Sequence, residues 1–465
     1  MSMDRSLQWS RPASLLLLGA AFLAAAAAVT SANPAYNPDP YSVVDHFNRA
    51  VHRSTSPRRA LSSDKSKKAK YTGPCMATNP IDRCWRCRKD WATDRQRMAR
   101  CAKGFGRETT GGLKGKIYTV TDPNDDDFTN PRPGSLRWGV VQTEPLWIIF
   151  ARDMVINASQ EIIIQSDKTI DGRGAQVHVA NGGGLTVQHQ NNVIINNLHV
   201  HGIKHTDGGN VSMTATHSTI RTRADGDGVS IFNATKVWVD HLSMDNCEDG
   251  MVDVVAMSTA VTISNTHLAH HNDVMLFGAD DKKPEDKVMQ VTVAFNHFGR
   301  GLVQRMPRCR YGFFHVVNND YTNWLMYAIG GSSAPTILSQ GNRYRAPPNM
   351  AAKEVRPLLL TPHSIYGWTH RFKSNHQFKF KRARARIEWL EQVTKRDYAP
   401  ESEWKNWVWI SDGDLMINDA YFTTSGGQIG QKLNGKDLIK PKPGEYVRRL
   451  TRFAGPLDCN PGSPC

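Results

Sequence analysis

Two groups of side chains in the middle of the chain have the types and spacing for chemistry. Four carboxylates come first: Asp225 and Asp227 in Ala224-Asp-Gly-Asp-Gly228, then Asp249 and Asp253 in Glu248-Asp-Gly-Met-Val-Asp253. Three arginines follow within six residues: Arg305, Arg308 and Arg310, in Arg305-Met-Pro-Arg-Cys-Arg310. Carboxylate oxygens beside glycines suit a hard divalent cation, calcium above all. The competing role for such aspartates is turn formation. Clustered guanidinium groups suit a ligand that carries carboxylates or phosphates. A cation site and an arginine site on one scaffold point to chemistry on an acidic polymer.

Short strands must hold these groups. Val237-Trp-Val-Asp-His241, Val261-Thr-Ile-Ser-Asn265, Val291-Thr-Val-Ala-Phe-Asn-His297 and Phe314-His-Val-Val-Asn-Asn319 align, their starts 24, 30 and 23 residues apart. Val193-Ile-Ile-Asn-Asn197 fits the same template. Each is a β-rich run with alternating in-out residues, closing on Asn, Asp or His. That spacing, without long amphipathic helices between, indicates an all-β solenoid of stacked coils. A β-sandwich would bring its strands back about every 8–12 residues. The asparagines recurring at one corner can stack into a hydrogen-bonded ladder or simply make the turns.

The chain has 465 residues and a formal net charge of +15. Length alone allows about three domains, a prior that elongated repeat folds escape. The charge favours a polyanion: nucleic acid, an anionic membrane or an acidic polysaccharide. Arg5 and Arg11 precede an apolar run from Leu15 to Val29 and the small residues Thr30-Ser31-Ala32, the pattern of a secretory signal over residues 1–32. No other segment approaches the roughly 20 apolar residues that cross a bilayer, so no membrane is expected.

Residues 33–74 read as a polar extension and linker. Cys75, Cys84, Cys87, Cys101, Cys247, Cys309, Cys459 and Cys465 make an even count, which behind a signal implies disulfides, those at each end stapling the termini of the main domain. Cys84-Trp-Arg-Cys87 has the CxxC form of a redox or zinc half-site, but no second CxxC or His pair stands at zinc spacing. Asn157, Asn210 and Asn233 begin glycosylation sequons.

Residues 75–355 form the expected catalytic domain and 393–465 a part that packs on it. Between them, 356–392 has eight Lys or Arg against Glu388 and Glu391 and no repeat pattern. A basic run with aromatics is one mark of a nucleic-acid arm, but a solvated loop or a gene-model error fits it better, and no nucleic-acid partner is expected. Valine codons begin with GT and a glutamine codon can end in AG. Val355 and Gln392 therefore fit the ends of a retained intron.

These residues resemble the plant pectate lyases of polysaccharide lyase family 1, whose fold is a right-handed parallel β-helix. The resemblance rests on Asn79-Pro-Ile-Asp-Arg-Cys-Trp-Arg-Cys87, Ile170-Asp-Gly-Arg-Gly174, Ala224-Asp-Gly-Asp-Gly228, Asn246-Cys-Glu-Asp-Gly250, Gln304-Arg-Met-Pro-Arg308 and Tyr327-Ala-Ile-Gly-Gly331, in that order. It runs from about residue 38 to 355 and resumes near Val393.

The resemblance implies a secreted, monomeric enzyme of the cell wall that cleaves α-1,4-galacturonan (pectate) by β-elimination. It makes Asp225, Asp249 and Asp253 calcium ligands with Asp227 as their partner, Arg305 the proton acceptor and Arg310 the ligand of a substrate carboxylate. Arg308 is a further substrate contact or else a surface ion pair. An arginine base is demanding, because a guanidinium normally stays protonated. Positive charge from calcium, Arg308 and Arg310 would favour loss of that proton. Some members carry a substrate-binding lysine near the position of Asp273, and Lys287 is the one candidate replacement.

His241, His267, His270, His271 and His297 are scattered over the repeats and read as turn or cleft residues rather than a metal site, and Trp238 as wall packing. Two other functions stay open. A galacturonan hydrolase would need an acid and a base carboxylate with room for water, and a wall-binding protein would keep the groove without turnover.

Overall fold

The computed structural model describes residues 75–347, 393–397, 399–429 and 435–465. The expected signal, the extension and the basic segment 356–392 lie outside the described residues. Among the described residues no helix is long and apolar enough to cross a membrane.

The chain winds into a parallel β-helix of three sheets with ten, nine and eight strands. The repeats aligned in the sequence are adjacent rungs of the ten-stranded sheet: Val193 pairs with Val237, Val237 with Val261, Val261 with Val291 and Val291 with Phe314. Neighbouring strands are parallel and in register, as coil stacking requires. Inward-facing Val237, Val239, Val261, Ile263, Val291, Val293, Phe314 and Val316 are fully buried in one continuous core.

The outward side chains of this sheet are buried as well, because the segment after Cys101 lies across them. Phe105 N donates to Thr292 Oγ1 at 3.0 Å and Gly106 N to Thr262 Oγ1 at 2.9 Å. Gly104 sits there at φ +74°, and a Cβ would run into the Thr292 side chain. Trp238, fully buried, donates its Nε1 to Ser264 Oγ at 2.9 Å, a packing role.

The asparagine corner is a ladder. Asn296 Nδ2 donates to Asn319 Oδ1 and Asn319 Nδ2 to Asn342 Oδ1, both at 3.0 Å. Phe298, Tyr321 and Tyr344 stack beside it with ring centroids 4.4 and 4.6 Å apart. After residue 392 the strands Thr394–Arg396, Trp409–Asp412 and Leu415–Ile417 add one rung to each of the three sheets.

Three disulfides join Cys75 to Cys87, Cys84 to Cys101 and Cys459 to Cys465. Cys84 and Cys87 thus belong to different bridges. All three bridges are local, and Cys247 and Cys309 are free and buried. What brings the described ends together is hydrogen bonding: Cys465 N donates to Arg86 O, and Arg86 Nη2 to Cys465 O, each at 3.1 Å. Between them His241, wholly buried, reaches Asp82 Oδ1 with Nε2 and Gly455 O with Nδ1, both at 2.9 Å.

Candidate active site

The eight-stranded sheet carries the chemistry. Asp225 and Asp227 lie in the loop that leads into strand Val229–Phe232, and Asp249 in the turn before the next rung, Val252–Val255, which carries Asp253. Ser230 pairs with Asp253, so the two acidic loops stack one above the other.

Asp225, Asp227 and Asp249 each offer an oxygen within 4.8 Å of the others, with Asp225 exposed and Asp249 half-buried. Asp253 is outside this trio. It stands behind Gly250, where its Oδ1 accepts from Leu276 N at 3.1 Å, and only 7% of it is exposed. Asp227 Oδ1 accepts from Gly250 N at 2.9 Å. A Cβ on Gly250 would strike Asp253 Oδ1 and crowd Asp227 Oδ1, so glycine is required between the two carboxylates.

The cluster holds more negative charge than burial tolerates. Burial, then Asp253, Asp225 and Asp249, push the Asp227 carboxyl well above the usual range. Burial, then Asp225 and Asp273, raise Asp249. Burial and then Asp249 push Asp253 up to about 8. Oxygen-only donors whose ionisation is suppressed by one another are the donor set that a hard divalent cation relieves.

The arginines enter two rungs further on. Strand Leu276–Phe277 separates the Asp253 strand from Arg308–Arg310, so the two groups are about 10 Å apart at the usual strand spacing. Leu276 pairs with Arg308 and Phe277 with Cys309, which turns Cys309 into the core and both arginines outward. Arg305 precedes this strand at φ +61°, one of the left-handed corners that recur along the coils, as at Asn265, Tyr311 and Asn318. Its charge favours the ionised forms of Asp249 and Asp253, which puts it within electrostatic reach of the acidic cluster.

Each arginine also has a carboxylate partner that the sequence reading did not supply. Arg305 Nε lies 2.9 Å from Asp273 Oδ1, Arg308 Nε 2.8 Å from Asp397 Oδ2, and Arg310 Nε 3.0 Å from Asp281 Oδ1. Arg310 Nη1 donates to Gly278 O at 2.6 Å, and burial followed by Arg308 lowers its pKa. Arg308 thus has an ion pair, as Arg305 and Arg310 do. Lys287 does not replace a lysine at Asp273: it lines a separate cavity with Tyr311, Ser333 and Glu403.

The histidines are dispersed. His271 Nε2 bonds Asp249 O, bracing the acidic turn from behind, and His267 stacks on His297 at 5.0 Å. The sequons' Asn157, Asn210 and Asn233 are all exposed.

Parallel coils in register, with an acidic cluster and an arginine strand two rungs apart on one sheet, define a parallel β-helix protein that carries a carboxylate cluster and an arginine cluster on the same sheet. A family model described as pectate lyase matches residues 97–356, and a second, pectate lyase N terminus, matches 24–61. A pectate lyase of Lilium longiflorum is 53% identical over 441 residues, covering 94% of this chain and 92% of that protein. A pectate lyase of Zinnia elegans is 47% identical over 438 residues, covering 94% and 96%. Among solved structures, the cedar pollen major allergen jun a 1 superposes with a TM-score of 0.71 at 40% identity, covering 82% of this chain and 99% of that one. The thermostable pectate lyase PL 47 gives 0.52 at 16% identity over 77% and 97%, a likeness of fold alone. The chain belongs to the pectate lyase family of polysaccharide lyases.

Proposed function

We propose that this protein is a secreted, calcium-dependent pectate lyase in which Arg305 is the proton acceptor. The observation that carries the reading is geometric: oxygens of Asp225, Asp227 and Asp249 converge within 4.8 Å, on the sheet whose strand Arg308–Arg310 follows Arg305. Asp225, Asp227 and Asp249 would form the front of the calcium site, with Asp253 behind Gly250 adding charge and a further oxygen. Calcium held there would withdraw electron density from the uronate carboxylate of the reacting sugar.

Arg305, as the neutral guanidine, takes the proton on C5, next to that carboxylate, and becomes the guanidinium. The C5–H electrons become the C4–C5 double bond, the C4–O bond breaks, and the glycosidic oxygen leaves with a proton from solvent. Arg310, held by Asp281 and Gly278 O, offers its remaining donors to a substrate carboxylate. The three disulfides support an oxidising, extracellular location.

The test is purified protein on polygalacturonate with calcium or with chelator. A lyase gives a rise in ultraviolet absorbance from the conjugated product, present with calcium and absent with chelator. New reducing ends without absorbance would make it a hydrolase, and neither signal a binding protein.

A further inference from the structure

A cavity of about 1340 Å³ opens on a different face from the acidic cluster. Its floor includes Phe295 and Asn318, the corner residues that follow strands Gln290–Ala294 and Phe313–Val317 of the ten-stranded sheet. Its walls come from the two terminal segments. Arg83, Arg100 and Lys103 stand on one side, and Lys440, Lys442 and Arg449 on the other. With Arg107 and Lys436 the lining has eight basic side chains against one acidic one, Glu108. Arg107 is engaged by Glu108 and Asp437. The six named first are all exposed, and among the described residues none of them is in an ion pair.

These cations stand on fixed backbone. Lys442 N donates to Asn318 Oδ1 at 2.9 Å while Asn318 Nδ2 returns a 2.6 Å bond to Lys442 O. Lys103 O accepts from Thr262 Oγ1 at 2.7 Å. Like charges gathered around one hollow repel each other and focus a positive potential into it, an arrangement that a polyanion relieves. At the rim Tyr446 leaves 54% of its surface exposed, close to Pro80 and Pro443. One open ring at the cavity offers a platform for the apolar face of a sugar. It falls short of the row of rings on which successive bases stack.

We propose that this cleft is a second, non-catalytic binding site for unesterified galacturonan, which anchors the polymer away from the point of cleavage. The choice of ligand rests on the pectate-lyase reading, while the anionic character of the ligand rests on the cleft itself. A polymer can occupy both faces of one molecule or bridge two, and a trisaccharide cannot.

The experiment uses the full-length protein and its K440E/K442E/R449E variant, with Tyr446→Ala as a second variant that alters no charge. Retention on immobilised polygalacturonate in chelator, where turnover is silent, is expected to weaken about tenfold in the triple variant and less in Tyr446→Ala. With calcium, the KM for polygalacturonate should rise while kcat/KM for trigalacturonate stays at the wild-type value. Unchanged retention and KM in both variants would overturn the proposal, as would an equal loss on polymer and trisaccharide. Tighter wild-type binding to double-stranded DNA than to polygalacturonate, lost in the triple variant, would overturn it in favour of a nucleic-acid site. Charge-dependent retention by a protein without lyase activity would uphold the anion-binding cleft and sink the enzymatic reading instead.

Discussion

Arg305 and Asp273 form an ion pair, Nε to Oδ1 at 2.9 Å, on adjoining rungs of the coil. Asp273 pairs with Gln304 in the short two-stranded ladder beside the site, and Gln304 Nε2 donates to the same Asp273 oxygen at 3.0 Å. The carboxylate therefore fixes the base of the guanidinium and leaves its outer nitrogens for the substrate. Under the proposed mechanism Asp273 would position the proton acceptor.

Asp273→Ala should lower kcat about tenfold and leave KM nearly unchanged, because the reacting nitrogen is misplaced while substrate binding is shared elsewhere. Asp273→Asn keeps an acceptor oxygen for Nε and should recover much of the loss. Steady-state kinetics on polygalacturonate decide it. A rise in KM alone would make Asp273 a binding residue.

Replacing Arg305 separates chemistry from binding. Arg305→Ala and Arg305→Lys should both fall by at least about a hundredfold in kcat, since lysine lacks the planar fork that Asp273 holds. Polymer binding should persist through calcium and Arg310. Near-normal turnover by either variant would show that another group takes the proton.

Metal and pH are linked through the aspartates. The folded protein holds protons on Asp227 and Asp253 far above the ordinary carboxylate range, the latter to about 8. In chelator, that contribution to stability is complete below the ordinary carboxylate pKa of about 4 and is lost as pH climbs toward about 8. Calcium should cancel the decline and bind more tightly over the same interval. Calorimetric melting with and without calcium across that range measures both effects. A metal-free protein whose Tm rises from pH 5 to 8 would contradict the arrangement.

His241 gives a second, independent pH dependence. Both ring nitrogens face acceptors, Asp82 Oδ1 and Gly455 O, so both must donate and the ring is an imidazolium. Burial disfavours that charge, but Asp240 and Asp82 outweigh it and raise the pKa, even with Arg86 opposing. The stabilisation is full below the unfolded histidine value of about 6.5 and disappears as pH rises through the folded one. His241→Asn should cost about 3 kcal/mol at pH 6 and much less in alkali, read from denaturant unfolding. An equal cost at both pH values would mean that the ring is neutral.

Much of this was legible in the chain. Val193, Val237, Val261, Val291 and Phe314 align by eye and pair in the structure, because a coil of fixed width forces one β-branched run per turn. The asparagine ladder follows from the same periodicity. The Asp-Gly-Asp-Gly loop was legible because glycine marks where carboxylates approach backbone.

The partners Asp273, Asp281 and Asp397 were not legible. Whether an aspartate meets an arginine depends on which rungs stack, and Asp397 reaches Arg308 only through the strand Thr394–Arg396, beyond the basic segment. Cysteine pairing was hidden for a related reason. Cys309 alternates inward on its strand between two outward arginines and has no bridging partner.

The exchange of hydrogen bonds between Arg86 and Cys465 has a mechanical consequence. A stack of coils that touch only their neighbours ordinarily frays from an open end, one rung at a time. Here both described ends lie against the flank of the stack, with His241 wedged beneath them, so neither can peel without lifting the other. The linear chain is in this sense closed into a hoop. Loss of the shared clasp is then expected early in unfolding, so the lifetime of the fold should depend on that barrier as well as on the strength of the terminal rungs.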